Sequence, residues 1–394
     1  MEPIRVLVTD GEQRSALAIV RSLGRAGHHV EVTSISGRSL AGASRYSHAD
    51  HAVPDALKDS VRFGEVVLTL CNQGTIGALL PVTEASLRVL LPLRRQLAGV
   101  ILPFPDHETF ANVSDKKSIL ASATELGIAV PEQTTILSRN EIADLPIEYP
   151  VVLKPWVSVV AEAGRNRKLG VMHVRDRDEL MTALDRFPDA AYPVLAQRRI
   201  VGPGVGVFLL RWNGRTVASF AHRRIREKPP SGGVSVYRES VVVPAAWVEQ
   251  AERLLESVGW SGVAMVEFKV DEATGRPFLM EINGRFWGSL QLAVDAGVDF
   301  PRLLLDLATG QPAGGAPVYR SGIRLRWEWG DLDHLLARVR NSDAKLHLPP
   351  GSPSRLATIA QVLLPWRPGD RWEILRPGDP GPFLRETVDW FGRK

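Results

Sequence analysis

A single cysteine, Cys71, excludes an internal disulfide framework and fits a reducing compartment. It closes the apolar run Val66 to Cys71 and reads as a buried strand residue, not a nucleophile. No stretch approaches the ~18 apolar residues that a bilayer span needs. No charged leader with a long apolar core precedes the run Ile4 to Val8, so a cytoplasmic protein without a membrane partner is expected. Charge of one sign is missing too. The 48 Lys and Arg stand against 44 Asp and Glu, a net +4, which is less lopsided than nucleic-acid binding usually requires. There is no internal repeat. The turn Thr9-Asp10-Gly11-Glu12 lacks a G-x-G-x-x-G pattern, so it reads as scaffold or substrate contact, not as a dinucleotide site.

What is present is a chain of 394 residues, 44% hydrophobic and 23% charged, long enough for two or three globular domains. Ile4 to Thr9, Ser15 to Ala26 and His29 to Ser34 form a β-α-β pattern, the helix closed by Gly27. Strand and helix patterns continue through Val66 to Leu70, Gly74 to Leu80 and Ser86 to Gln96, with a short strand near Val100 to Leu102. Alternation of this kind implies an α/β unit with a parallel sheet covered by helices.

A second unit begins near Asn112, where Ser114-Asp115-Lys116-Lys117 caps a helix that stops at Gly127. Tyr149 to Pro155, Tyr192 to Gln197, Val205 to Trp212, Thr216 to Arg224, Val263 to Val270 and Pro277 to Ile282 read as strands. The turn Asn213-Gly214 implies antiparallel pairing, hence an α+β unit. After Ala316 come Arg- and Trp-containing strands, a helix over 331–340 and a Pro- and Gly-rich end.

Glu267, Glu281 and Asn283 carry the sharpest chemical signal. Glu281 and Asn283 leave one face of a strand and Glu267 meets them from its neighbour. Two carboxylates and an amide oxygen suit Mg2+; the bland alternative is a hairpin with surface carboxylates. Lys154, inside the apolar Val151-Val152-Leu153-Lys154-Pro155, needs an anionic partner such as a nucleotide phosphate, unless it snorkels at a strand edge. Lys116 in the first turn of a helix opposes the helix dipole, which hints at an outside partner. The basic segments 164–170 and 222–233 read as loops able to fold over polyphosphate. Trp156, Trp287, Tyr237 and His222 are candidates for a substrate pocket or for core packing.

The ordered series Asp115-Lys116, Val152-Leu153-Lys154-Pro155, Leu195 to Gly202, Val266-Glu267-Phe268 and Met280-Glu281-Ile282-Asn283-Gly284-Arg285 resembles the ATP-grasp superfamily. Within it, the chain looks most like the carboxylate-amine ligases related to the carbamoyl-phosphate synthase large subunit. The resemblance implies a pre-ATP-grasp α/β domain over 1–111, an ATP-grasp domain over 112–315 with lobes 112–196 and 197–315, and a C-terminal extension over 316–394. It implies ATP and Mg2+ as cofactors. Lys116 and Lys154 would hold phosphates, and Gln197, Arg198 and Ile200 would line the adenine slot. Glu267, Glu281 and Asn283 would hold the metal. Arg285 would neutralise the transferred phosphoryl group, with Arg223 and Arg226 at the carboxylate or acyl phosphate. Pro203-Gly204 stands where many relatives have an acidic residue for the ribose. The implied reaction joins a small-molecule carboxylate to an amine through an acyl phosphate, with a homodimer as the candidate assembly. Rival readings are another nucleophile (bicarbonate, ammonia or thiol), a non-catalytic nucleotide-binding regulator, or, from the Arg-rich loops, a nucleic-acid binder.

Overall fold

The computed structural model describes residues 2–97, 99–140, 146–156, 159–162, 165–312, 314–349, 351–363, 367 and 369–392, without side chains for 159 and 161–168. Residues 5–125 hold β1 (Arg5–Val8), α1 (Arg14–Arg25), β2 (His29–Ser34), β3 (Ser47–Ala52), α2 (Ser60–Gln73), β4 (Ile76–Leu80), α3 (Glu84–Leu90), α4 (His107–Ser114) and α5 (Lys116–Glu125). The first lobe follows with β5 (Gln133–Ile136), β6 (Val151–Pro155), β7 (Val159–Glu162), β8 (Arg165–Lys168), β9 (Met172–Val174) and α6 (Arg177–Leu184), and β10 (Val194–Arg198) completes it. The second lobe holds β11 (Gly204–Trp212), β12 (Arg215–Lys228), β13 (Val234–Ser240), α7 (Ala245–Ser257), β14 (Gly262–Val270), β15 (Pro277–Asn283), α8 (Leu290–Ala296) and α9 (Phe300–Ala308). The chain then runs through β16 (Arg324–Arg326), α10 (Glu328–Arg340), α11 (Arg355–Leu363), β17 (Asp370–Trp372) and α12 (Gly381–Gly392).

The first sheet, ordered β3-β2-β1-β4, is parallel throughout, as the β-α-β pattern requires. The expected strand at Val66 to Leu70 is instead part of α2. Phe63, Val67 and Cys71 are buried at helical spacing, so the apolar run is one face of a helix. Near Val100 to Leu102 only a single bridge forms, Ala78 to Ile101.

The three later sheets are antiparallel, apart from one pair. One has the order β5-β10-β6-β9, a second has seven strands, β15-β14-β11-β12-β13-β16-β17, and the third is the pair β7-β8. Asn213 and Gly214 both have positive φ, 51° and 75°, in the tight turn that joins β11 to β12. The basic segment expected as a loop is β-structure as far as Lys228, paired with β13. In the segment 164–170, Arg165–Lys168 pairs with Val159–Glu162, and position 164 lies outside the described residues.

The chain beyond Ala316 is built into the core. β16 pairs with β13, and β17 extends the sheet in parallel beside β16. Glu373, just after β17, binds Arg14 at 2.6 Å and Arg238 at 2.5 Å. The buried Arg21 binds Asp379 at 2.8 Å. These pairs tie the C-terminal segment to the first domain and to the second lobe.

Candidate active site

Strand alternation sets which side chains reach the cleft. In β6, Val151 and Leu153 sink into the first lobe's core, which leaves Val152 and Lys154 on the opposite face. In β14, Val266 and Phe268 are core residues, whereas Met265, Glu267 and Lys269 face the cleft. A register shift between Glu267 and Phe268 adds a residue to β15, so that Met280 and Glu281 both border the cavity. Tight glycines hold the backbone. At Gly202, φ is +143° and a Cβ would stand 1.9 Å from the Val270 carbonyl oxygen.

The resulting cavity of about 360 Å³ has three zones. Val152, Gln197, Arg198, Ile200 and Met280 line one end. Gln197 is buried and donates from Nε2 to Gln133 Oε1 at 2.9 Å. His173 also borders the cavity; burial, then Arg199 and Lys269, push its pKa down to about 3, so it is neutral. The middle holds Lys154, Arg224, Glu267, Glu281, Asn283 and Arg285, and the far end holds Arg14, His222, Trp287 and Ser289.

In the middle zone Glu267 and Glu281 are direct partners across β14 and β15. Asn283 donates from Nδ2 to Glu281 Oε1 at 2.9 Å, and Arg285 donates to Asn283 Oδ1 at 3.0 Å. Glu267 is paired with Arg224, whose other nitrogen donates to Glu227 at 2.8 Å. Lys154 has no carboxylate within ion-pair reach among the described residues; its Nζ lies 3.8 Å from the Met280 sulfur. Burial lowers the Lys154 pKa, opposed by the fields of Glu281 and Glu267. Among the described residues no three His, Cys, Asp or Glu side chains converge, so the third donor of any metal site here is the Asn283 amide.

Lys116, buried at the start of α5, borders a second cavity of about 560 Å³ together with Glu281, Asn283 and Arg285. That cavity opens onto the C-terminal edge of the parallel sheet, at Glu12, Thr33 and Thr83. Asp10, also there, is occupied as scaffold: it accepts from Thr83 N at 3.1 Å and Ser86 Oγ at 2.7 Å.

Nine of the eleven sequence-derived residues border these two cavities: Lys116, Lys154, Gln197, Arg198, Ile200, Glu267, Glu281, Asn283 and Arg285. Arg223 and Arg226 do not. They lie on the other face of β12, where Arg223 binds Glu239 at 2.8 Å and Arg226 binds Asp331 at 2.6 Å through two nitrogens. Arg224 takes the cleft position, as strand parity dictates. Trp287 and His222 border the cavity, while Tyr237 is buried on the opposite face with its hydroxyl on Asp370 at 2.7 Å. Trp156 lies beside Lys117 instead, 4.5 Å from its ammonium. Arg14 and His173 sit in segments with no motif and give no sequence signal, whereas Lys269 directly follows Val266-Glu267-Phe268 and faces the cleft by the same strand alternation as Glu267.

A parallel-sheet domain followed by two antiparallel lobes that close on paired carboxylates and a buried lysine is an ATP-grasp architecture, and the chain is similar to proteins of that superfamily. More particularly, residues 191–330 match the family model described as ATP-grasp in the biosynthetic pathway with Ter operon. The D-alanine–D-alanine ligase of Chlorobium chlorochromatii (strain CaD3) is 25% identical over 190 residues, 43% of this chain, and the chain spans about half (50%) of that relative's length. Among solved structures, the L-amino acid ligase from Bacillus licheniformis superposes with a TM-score of 0.63 at 18% identity, covering 81% of this chain and 76% of that one. The N5-carboxyaminoimidazole synthetase from Staphylococcus aureus complexed with ADP has a TM-score of 0.62 at 14% identity, with 80% of each chain covered. No helix among the described residues is long and apolar enough to cross a membrane.

Proposed function

We propose that this chain is an ATP-dependent ligase that activates a small-molecule carboxylate as an acyl phosphate and passes the acyl group to an amine, with release of ADP and phosphate. The observation that carries the reading is the in-register pairing of Glu267 with Glu281, beside a Lys154 ammonium that has no carboxylate partner of its own. A cation in that position is stabilised by phosphate oxygens. The solved relative complexed with ADP lends the same fold to this use.

The donor set fits Mg2+: two carboxylates on neighbouring strands and an amide oxygen two residues along, all hard oxygen ligands. Glu267, Glu281 and Asn283 would hold the ion, which when bound neutralises charge on the polyphosphate. The adenine base would lie among Val152, Ile200 and Met280, with Gln197 at its polar edge. Lys154 and Lys116 would bind phosphate oxygens, and Arg224, released from Glu267 in favour of the anion, would shield the transferred group. Arg285 stands next to Asn283 and would orient the attacking carboxylate toward the γ-phosphorus. The carboxylate oxygen bonds to that phosphorus as the bond to ADP breaks; the amine nitrogen then bonds to the acyl carbon, phosphate leaves, and a proton is lost from nitrogen. Positioning and charge neutralisation supply the catalysis, without a covalent enzyme intermediate. Cys71 is no candidate nucleophile, because burial in the first domain pushes its thiol pKa up to about 12.

The test is a screen of carboxylate and amine pools for phosphate release, with mass spectrometry of the products. Phosphate and an amide should appear in equal amounts, and only when both substrates are present. Phosphate release without any carboxylate, or ADP formation with no new amide, would point to another nucleophile or to plain hydrolysis.

A further inference from the structure

The cavity of about 560 Å³ that begins at Lys116, Glu281, Asn283 and Arg285 runs on to the first domain, so the phosphate and metal groups border only its near end. Its size falls within the ~300–1,000 Å³ of small-molecule sites. The sheet order β3-β2-β1-β4 reverses between β1 and β4, and the crevice at such a reversal is where α/β sheets ordinarily receive a ligand. Here that crevice is tied shut. Asp10, just beyond β1, accepts from Thr83 N at 3.1 Å, Thr83 Oγ1 at 3.0 Å and Ser86 Oγ at 2.7 Å, all beyond β4. The open wall lies beyond β2 and β3 instead, and it is apolar. Ile35 directly follows β2, Val53 directly follows β3, and Leu57 and Phe63 stand before and within α2.

Ile35 and Val171 are large apolar side chains left 57% and 48% exposed, and both line this cavity, one from the first domain and one from the first lobe. Single apolar side chains at a surface are ordinary; two that share one concave space with further apolar neighbours mark a binding surface. The carboxylates on the first-domain side, by contrast, already hold donors within the chain. Glu12 accepts the Ile35 N–H at 2.7 Å, Asp55 accepts the Leu57 N–H at 2.9 Å, and Glu84 pairs with Arg88 at 2.9 Å. Among the described residues the cations on the wall are Lys116 and Arg285, both at the end shared with Glu281 and Asn283. One end of the cavity is thus cationic and the other apolar.

We propose that this cavity takes a carboxylate with an apolar body, an aliphatic or aryl acid, with its carboxylate at Lys116 and Arg285 and its body against Ile35, Val53, Leu57 and Val171. The proposal deepens the ligase reading and rests on it for one point, that the carboxylate is the end that reacts. Binding removes the body and the exposed faces of Ile35 and Val171 from water, a gain that grows with the apolar area covered. A short acid such as acetate reaches the cations and leaves the wall bare. An acid with a charged far end is disfavoured, because that charge would lose water beside side chains that cannot replace it.

The test titrates acetate, butanoate, hexanoate and 6-aminohexanoate into the full-length protein, with and without ADP and Mg2+, by calorimetry and ligand-observed NMR. Affinity should rise from acetate to hexanoate by about three- to fourfold per methylene, and 6-aminohexanoate should bind about tenfold or more weaker than hexanoate. Ile35→Ser, at an exposed position outside the phosphate and metal groups, should weaken hexanoate about three- to tenfold and leave acetate and ATP unchanged. Cooperative melting of the variant shows that it is folded. No binding of any acid, equal affinity along the series, 6-aminohexanoate bound as tightly as hexanoate or tighter, or an unaltered rise in Ile35→Ser would overturn the proposal. The ligase reading fails separately. If hexanoate binds in this pattern but no acid yields ADP and an amide with ATP, Mg2+ and amines, that reading falls and the site remains; amides formed from acids without regard to their apolar body would remove this proposal and keep the ligase.

Discussion

Glu267 and Glu281 face one another across β14 and β15, yet their surroundings push the two carboxyls in opposite directions. Burial raises the pKa of Glu267 against the pull of Arg224, and the charge of Glu281 adds to the rise. For Glu281 burial acts upward too, but Lys116, the Asn283 hydrogen bond and Lys154 outweigh it and the pKa falls. A divalent cation between the two would favour the ionised form of both. Glu281→Gln combined with Asn283→Ala should therefore reduce ADP and phosphate release by orders of magnitude while cooperative melting persists. Undiminished turnover at saturating Mg2+ and ATP would place the metal elsewhere.

Lys154→Ala should weaken ATP by about 1.5–3 kcal/mol, the contribution of one charge-assisted hydrogen bond. Free of nucleotide, the variant should be no less stable than wild type, because burial lowers the lysine's pKa and so makes its charge a cost to folding. Calorimetry with ATP and a thermal melt check the two halves separately. An affinity equal to that of wild type would take Lys154 out of the phosphate site.

Arg224 and Arg223 are neighbours in sequence with opposite fates. Arg224→Gln should slow phosphoryl transfer by tenfold or more (on the order of 10 to 1000, as for loss of one transition-state donor). Arg223→Gln, at a half-exposed ion pair, should change stability by less than about 1 kcal/mol and leave turnover intact. Steady-state kinetics on the two variants side by side decides it, and equal losses would mean that strand parity does not govern the cleft.

Much of the fold was readable because it is written locally. β1 is an apolar run, α1 is rich in buried apolar residues and is followed by Gly27, β2 carries Val30 and Val32 in alternation, and Glu267, Glu281 and Asn283 stand out as polar groups on largely apolar strands. β3 was not readable, since Ser47–Ala52 is a mostly polar strand that lies at the sheet edge. The run Val66 to Leu70 misled because a short apolar stretch has no period of its own. Arg223 and Arg226 were chosen on composition, and only the bulged pairing of β12 with β13 decides which arginines turn toward the cleft. β16 and β17 are three residues each, and their partners are remote in sequence.

The C-terminal segment is structural as well as additional. Arg21→Ala leaves Asp379 buried without its ion-pair partner and should cost about 3–5 kcal/mol, as for other broken buried pairs. Chemical denaturation would show the loss as a lower midpoint with unchanged slope. A variant of wild-type stability would mean that the segment after Ala316 is held by its strands alone.

The last prediction concerns pH and uses Glu386→Gln in the absence of any ligand. The carboxyl has its pKa raised from 4.5 to about 7 by burial. Between those values the folded state binds more protons than the unfolded chain, so this group lowers stability as pH rises through the window. Its penalty is absent below pH 4.5 and complete above pH 7. Glutamine keeps the volume, can still accept from Trp327 and carries no titrating charge. The gap in Tm between variant and wild type should therefore widen in the variant's favour from pH 5 to pH 8. Melts in a single low-salt buffer series at constant protein concentration measure that gap directly. A gap that stays constant across the range would mean that Glu386 titrates as an ordinary surface carboxylate, and that its buried oxygen is solvated in solution.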